Sequence, residues 1–424
     1  MERPPPSPVN PWRWIPSLYF CQGLPNVVVT SLAVVLFKNL RVSNTDIALY
    51  TSWLYLPWVI KPLWSPLVDL FGAKHRWIVA LQFTVGFALA TVALTLPGPD
   101  FFRYTLAVLW LMAFGSATHD IAADGFYLLV LPAHQQAAFV GVRNTSFRLA
   151  MIAGKGGLVW LAGRLVGITG DVTQAWAIIF SLLAGVFVLA GFYHLRVLPV
   201  SLRDGRTRHD QPVAAGFGRV FQSFFAKPGI GGALFFLLVY RLGEALALKL
   251  VEPFLLDARA AGGLGLTNER LGFAYGVVGV AALLLGGLFG GFLISRRGLR
   301  RMLWPMILFM HLPIAVFYLL ATTRPESLVA ISAALAVEQF GYGFGFTAYL
   351  VYMMMIADGA HRTAHYAICT GFMALGLMLP GMAAGWIQEH VGYAHFFLWV
   401  CLATVPSFAA TALIKVDPAF GKRT

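Results

Sequence analysis

Twelve stretches of about 20 mostly apolar residues follow one another along this chain, each long enough to cross the hydrocarbon core of a bilayer as a helix. They fall at 13–37, 46–69, 77–97, 102–131, 137–163, 174–197, 230–256, 270–294, 302–322, 327–356, 364–387 and 393–414. Charge agrees with that reading. Only 12% of the 424 residues are charged and 58% are hydrophobic, where a soluble domain carries about 25% charged residues. The expected fold class is an all-α polytopic membrane protein with 12 transmembrane helices.

One long polar interruption divides the twelve segments six plus six. It runs from 201 to 229, with LRDGRTRHDQP followed by the partly amphipathic GFGRVFQSFF, which is expected to lie along a membrane surface. Residues 1–200 and 230–424 are then two six-helix bundles joined by a cytoplasmic linker. The formal net charge of +13 does not indicate nucleic acid, because its basic residues cluster in short loops. Taking both termini as cytoplasmic places eighteen of the 31 Lys and Arg residues on that side and seven on the other. The opening MERPPPSPVNPW has no basic region leading into a cleavable apolar one, so no signal peptide is expected. Cys21, Cys369 and Cys401 lie in apolar segments without ligand spacing, so neither a disulfide framework, a metal nor a cofactor is expected.

Charged groups inside the apolar segments carry the functional signal, since each costs roughly 2.5 to 3.5 kcal/mol on insertion scales. In GSATHDIAADGF the fourth segment holds His119, Asp120 and Asp124, the two acids sharing one helix face. The fifth holds Arg143, Asn144, Arg148 and Lys155; the last three share a face, with Asp120 and Asp124 as available counter-charge. Two readings stand for these cations: an intramolecular Asp–Arg pair, or a clamp for an anionic substrate. Lys61, flanked by Pro57, Pro62 and Pro66, either snorkels to headgroups or faces a cavity.

The seventh segment sets Arg241, Glu244 and Glu252 on one side, with Lys249 offset by roughly a quarter turn. A carboxylate beside an arginine can change protonation as its surroundings change, which proton coupling requires. A static ion pair is the alternative, and Glu252, near the outer end, reads as a structural member. Glu338 and Gln339 precede GYGFGF in the tenth segment, where glycines permit bending or close helix approach. His311 stands alone on an apolar face and reads as a core or interfacial histidine. Tyr19, Tyr50, Trp53, Tyr55, Trp64, Tyr127, Tyr240 and Tyr342 are candidates for a cavity wall that stacks sugar rings.

The loop after the second segment, SPLVDLFGAKHR, and the loop after the eighth, GFLISRRGLRR, align at a constant offset that pairs Gly72 with Gly298 and Lys74 with Arg300. Both copies resemble the G-x-x-x-D-R-x-G-R-R signature of the major facilitator superfamily, the first keeping Asp69 and Gly72, the second Arg296 and Arg300. In that fold two bundles rock about a midplane site, and these four residues would latch the cytoplasmic side.

The segments FCQGLPNVVV, LPWVIKPLWSPLVD, HDIAADGFY, YRLGEAL and HRTAHYAICTGF together resemble the AmpG-like branch of that superfamily, the peptide/acetyl-CoA transporter family. The resemblance implies proton-driven import by alternating access in the bacterial inner membrane, with anhydro-muropeptides as the muropeptide branch's solutes. By position it makes Asp120, Asp124 and Glu244 the coupling acids; His119 departs from the Gln common there. The expectation is thus a proton symporter for an amino-sugar solute, monomeric in its lipids and not an enzyme. Asp120, Asp124, Glu244 and Glu338 are its proton-coupling candidates, and Lys61, His119, Asn144, Arg148, Arg241 and Tyr342 its substrate-binding candidates. Siderophore, saccharide or acyl-CoA permeases of the same family are alternatives. A membrane-embedded transferase would need a nucleophile–base or metal constellation, and no HExxH, GxSxG or clustered His ligands occur.

Overall fold

The computed structural model describes residues 10–421 except 66–67, 69–72, 132, 200–212, 359–361 and 419. Among them every regular element is a helix. Among the described residues nine helices are long and apolar enough to cross a membrane, from Pro11–Asn39 to Ala364–Leu413. The last is 50 residues long and breaks at Gly392, whose φ of 75° suits glycine alone among common residues.

Two expected spans are missing from the nine because each is interrupted. In the second, helix Asn44–Trp53 stops, Leu56–Ile60 resumes, and a 3-10 turn follows at Lys61–Leu63. Pro57 and Pro62 account for both breaks, since each lacks an N–H and crowds the preceding turn. The seventh divides into Ile230–Val239 and Leu242–Leu256, with Arg241 capping the second piece. No proline marks that break. Three further stretches, Val28–Leu32, Ile152–Leu158 and Gly272–Gly279, are π-helical, a widened turn common at functional sites.

The chain packs as two compact units. The first comprises Met1–Val29, Leu63–Gly154 and Thr173–Asp210; the second comprises Thr30–Pro62, Lys155–Val172 and Gln211–Thr424. The chain passes between units within the first, second and fifth segments. Each of those crossings falls in a non-α stretch, two of them π-helical and one 3-10.

The first unit's core sets Trp14, Ile15, Leu18 and Tyr19 against Ala122, Ala123 and Phe126. The second unit's core gathers Phe236, Tyr240, Met306, Met310 and Tyr349. The amphipathic helix Val213–Phe225 packs there through the fully buried Phe224, while Ser223 Oγ meets His365 Nε2 at 3.0 Å. The glycines of GYGFGF leave Leu328–Ile356 continuous. Their role is approach: a Cβ on Gly343 would lie 2.1 Å from the Leu283 carbonyl oxygen. The π-turns of segments five and eight meet the same way, a Cβ on Gly276 falling 2.3 Å from the Lys155 carbonyl oxygen.

Candidate functional site

Polar side chains enter the interior of each unit on apolar helices. In the first unit, helix Phe101–Val130 carries Asp120 and Asp124 one turn apart. Asp120 accepts a hydrogen bond from the Gln22 amide. Asp124 Oδ1 accepts from the Tyr19 hydroxyl at 3.2 Å and pairs with an Arg143 guanidinium nitrogen at 2.8 Å. Arg143 also stacks over the Tyr19 ring, 4.7 Å from its centroid. The counter-charge of Asp124 is therefore Arg143, which stands off the helix face shared by Asn144 and Arg148. Asn144 is exposed and Arg148 half-buried.

His119 belongs to a separate buried chain. Gln82 donates its amide N–H toward His119 Nε2 at 3.3 Å, and its carbonyl oxygen accepts from His194 Nδ1 at 2.9 Å. His194 Nε2 then meets Ser17 Oγ at 2.9 Å. The amide is the only fixed-polarity member, so it assigns the tautomers: His119 accepts at Nε2, and His194 donates at Nδ1.

In the second unit Arg241 and Glu244 form a bidentate pair at 2.7 and 2.8 Å, both side chains nearly inaccessible. The Tyr342 hydroxyl accepts a further Arg241 bond at 2.8 Å, and the Phe346 ring lies 4.6 Å below the guanidinium. Three sequence candidates from two segments thus meet at one point. The break at Tyr240 brings them together, placing Arg241 at the start of the helix that carries Glu244 one turn later. Glu338 is buried and accepts from its neighbour Gln339 at 2.8 Å.

One cluster escapes the sequence reading. Glu252 is buried, accepts from Ser31 and lies 3.9 Å from Lys155 Nζ. Lys249, on the same helix, donates to Thr51 Oγ1 at 3.1 Å and sits over the Tyr55 ring at 4.7 Å. Lys155 was expected on the face of Arg148, but π-turns at 152–158 separate the two, and a wider turn rotates everything beyond it. The Lys249–Glu252 spacing of three was the available signal.

A polar network joins residues 38–45 to the end of Leu242–Leu256 and to residues 388–393. Lys38 Nζ pairs with Asp257 at 2.7 Å, and Tyr393 donates to the same carboxylate at 2.6 Å. Asn44 donates to Gln388 at 2.6 Å and to the Tyr393 oxygen at 2.9 Å, while Asn39 and Asn268 exchange amide bonds at 3.2 and 2.5 Å. Lys61 is half-buried at its 3-10 turn. Arg296 and Arg300 are exposed on either side of Gly298, which turns the chain at φ 80°. Asp69 and Gly72 lie outside the described residues. His311 packs edge-on to Tyr240 and Phe408, as a core residue does.

A family profile described as the BT1 family matches residues 22–227. An anhydromuropeptide permease of Escherichia coli is 27% identical over 396 residues, covering 92% of this chain and 76% of the relative. A putative transporter AmpG 4 of Rickettsia conorii is 25% identical, covering 91% of this chain and 92% of the relative. The chain is thus similar to AmpG-like permeases along nearly its whole length, and to the BT1 family over residues 22–227. Its relatives are permeases and transporters, and this chain is a multi-pass membrane transporter of a small solute rather than an enzyme. Among solved structures, a D-xylose-proton symporter superposes with a TM-score of 0.70 at 13% identity, covering 99% of this chain and 100% of that one. The nucleoside transporter NupG gives 0.66 at 15% identity, covering 96% and 98%. At such identities the likeness is one of fold, and that fold is the major facilitator fold.

Proposed function

We propose that this AmpG-like transporter is a proton-coupled permease that brings an amino-sugar solute, an anhydro-muropeptide, across the bacterial inner membrane by alternating access. The observation that carries the substrate class is similarity to an anhydromuropeptide permease along 92% of the chain. The chemistry of coupling is supported by acids set inside apolar helices beside cations: Asp124 with Arg143, and Glu244 with Arg241. Protonation of either carboxylate weakens its hold on the arginine and releases that cation toward the solute. Asp120, which accepts from the Gln22 amide, and Glu338, which accepts from Gln339, are the further proton carriers.

His119, Asn144, Arg148, Lys61, Arg241 and Tyr342 supply contacts to the solute. The network from Lys38 to Tyr393 seals one mouth of the pathway, and the loops bearing Asp69, Gly72, Arg296 and Arg300 latch the other. The charge asymmetry of the loops supports an orientation with both termini in the cytoplasm. The permease works as a monomer among membrane lipids. Purified protein in liposomes should accumulate anhydro-muropeptide when the lumen is alkaline and lose that accumulation when a protonophore collapses the gradient. Accumulation indifferent to the protonophore would refute coupling, and uptake of a siderophore in place of the muropeptide would refute the substrate.

A further inference from the structure

Lys155, Lys249 and Glu252 place two cations and one carboxylate in the second unit. The neighbouring charges are engaged elsewhere. Arg241 and Glu244 satisfy each other in a bidentate pair. Glu338 takes the amide of Gln339, and among the described residues no ion pair joins it to either lysine.

Lys249 is 4% exposed and has no carboxylate within ion-pair distance among the described residues. Of its three N–H donors, one goes to Thr51; the ring of Tyr55 covers a second direction. Glu252 presents the complementary deficit, since its Oε2 is buried and meets no hydrogen-bond donor. An ammonium held away from water calls for an anion, and a carboxylate oxygen without a donor calls for an N–H or O–H. Both deficits lie three residues apart on one helix, Leu242–Leu256, and Lys155, whose side chain is 19% exposed, stands at their edge.

We propose that Lys249, seconded by Lys155, is the subsite that takes a carboxylate of the transported solute, while Glu252 accepts from an adjacent amide or hydroxyl of the same molecule. This rests on the reading of the protein as an amino-sugar permease and adds which residues read the acidic part of the solute. A single carboxylate matches the ammonium of Lys249, which has none within ion-pair distance among the described residues.

The test uses the full-length protein in detergent with two probes, N-acetylmuramic acid and its carboxamide, which differ in one charge. The wild type should bind the acid about tenfold more tightly than the amide, as a charge-assisted contact requires. In Lys249→Met that ratio should fall to about one with amide affinity unchanged, while Lys249→Arg should keep most of it. A Lys249→Met protein that still prefers the acid overturns the proposal and leaves the permease reading intact.

A second arm needs no sugar. Acetate should raise the unfolding temperature of the wild type above matched chloride, and should not do so in Lys249→Met. If neither sugar binds yet the acetate effect depends on Lys249, the carboxylate site stands and the amino-sugar reading falls. A wild type that neither distinguishes acid from amide nor responds to acetate overturns the site, and so does an acetate effect equal in both proteins.

Discussion

Removing one partner of the Arg241–Glu244 pair should cost far more than removing both. The two side chains are 5% and 3% exposed, and the guanidinium makes two bonds to the carboxylate at 2.7 and 2.8 Å. Glu244→Leu strands a buried guanidinium that retains only Tyr342 and a ring face, and Arg241→Met strands a buried carboxylate. Breaking a buried pair from either side costs about 3–5 kcal/mol, whereas replacing both members with apolar residues of similar volume is often neutral or stabilising. The double variant still leaves the Tyr342 hydroxyl short of one donor, about 1 kcal/mol. It should therefore lie within about 2 kcal/mol of the wild type, giving a coupling energy of about 3 kcal/mol or more. Reversible unfolding in mixed micelles reads the four proteins of the cycle. Uptake into liposomes under a pH gradient then separates structure from mechanism. The double variant should be folded yet at least about tenfold slower to accumulate solute, a transition-state loss above about 1.4 kcal/mol. Additive single effects would refute the energetic argument, and a double variant that transports normally would reduce the pair to a staple.

Asp124→Asn should fold well, because its pair with Arg143 has side chains 41% and 28% exposed and partly solvated pairs contribute about 0–1 kcal/mol. It should keep solute exchange between compartments while losing gradient-driven accumulation, which counterflow and uptake assays distinguish. Gln82→Leu should lower stability by about 1–3 kcal/mol by leaving His119 and His194 nitrogens without partners; a thermal unfolding curve matching the wild type would contradict the assigned chain. In a background lacking the native cysteines, Asn39→Cys with Asn268→Cys should crosslink on oxidation and stop transport until a reductant is added. Continued transport by the crosslinked protein would show that this contact need not open. Gly276→Ala forces a methyl group 2.3 Å from the Lys155 carbonyl oxygen and should cost about 1–3 kcal/mol by overpacking, again read by unfolding.

The apolar spans are legible because a bilayer demands length and apolarity from each segment separately. The Arg241–Glu244 pair is legible because a spacing of three is fixed by the helix itself. Tyr342 is named by the sequence as a candidate, but its bond to Arg241 is not legible, as it arrives from 101 residues away. The partner of Lys155 is hidden for a different reason. A face drawn at 100° per residue holds only while the helix stays α, and the turns at 152–158 are not. Gln22 and Gln82 leave no trace in a charge inventory, yet one holds Asp120 and the other links two histidines. The break at Tyr240 has no proline to announce it, whereas Pro57 and Pro62 give away the breaks in the second segment.

Thr30–Pro62 and Lys155–Val172 belong to the first half of the chain and pack within the second unit. During synthesis, therefore, Ser31, Thr51 and Lys155 enter the membrane long before Glu252 and Lys249 exist to receive them. Until the seventh segment is made, Ser31 and Lys155 lack the carboxylate of Glu252, while Thr51 can bond to the Ile47 carbonyl of its own helix. A ribosome that stops after residue 200 leaves an incompletely satisfied half-protein, and a C-terminal half expressed alone exposes the surface those segments cover. Segments of the first half of the chain thus complete the packing of the second unit.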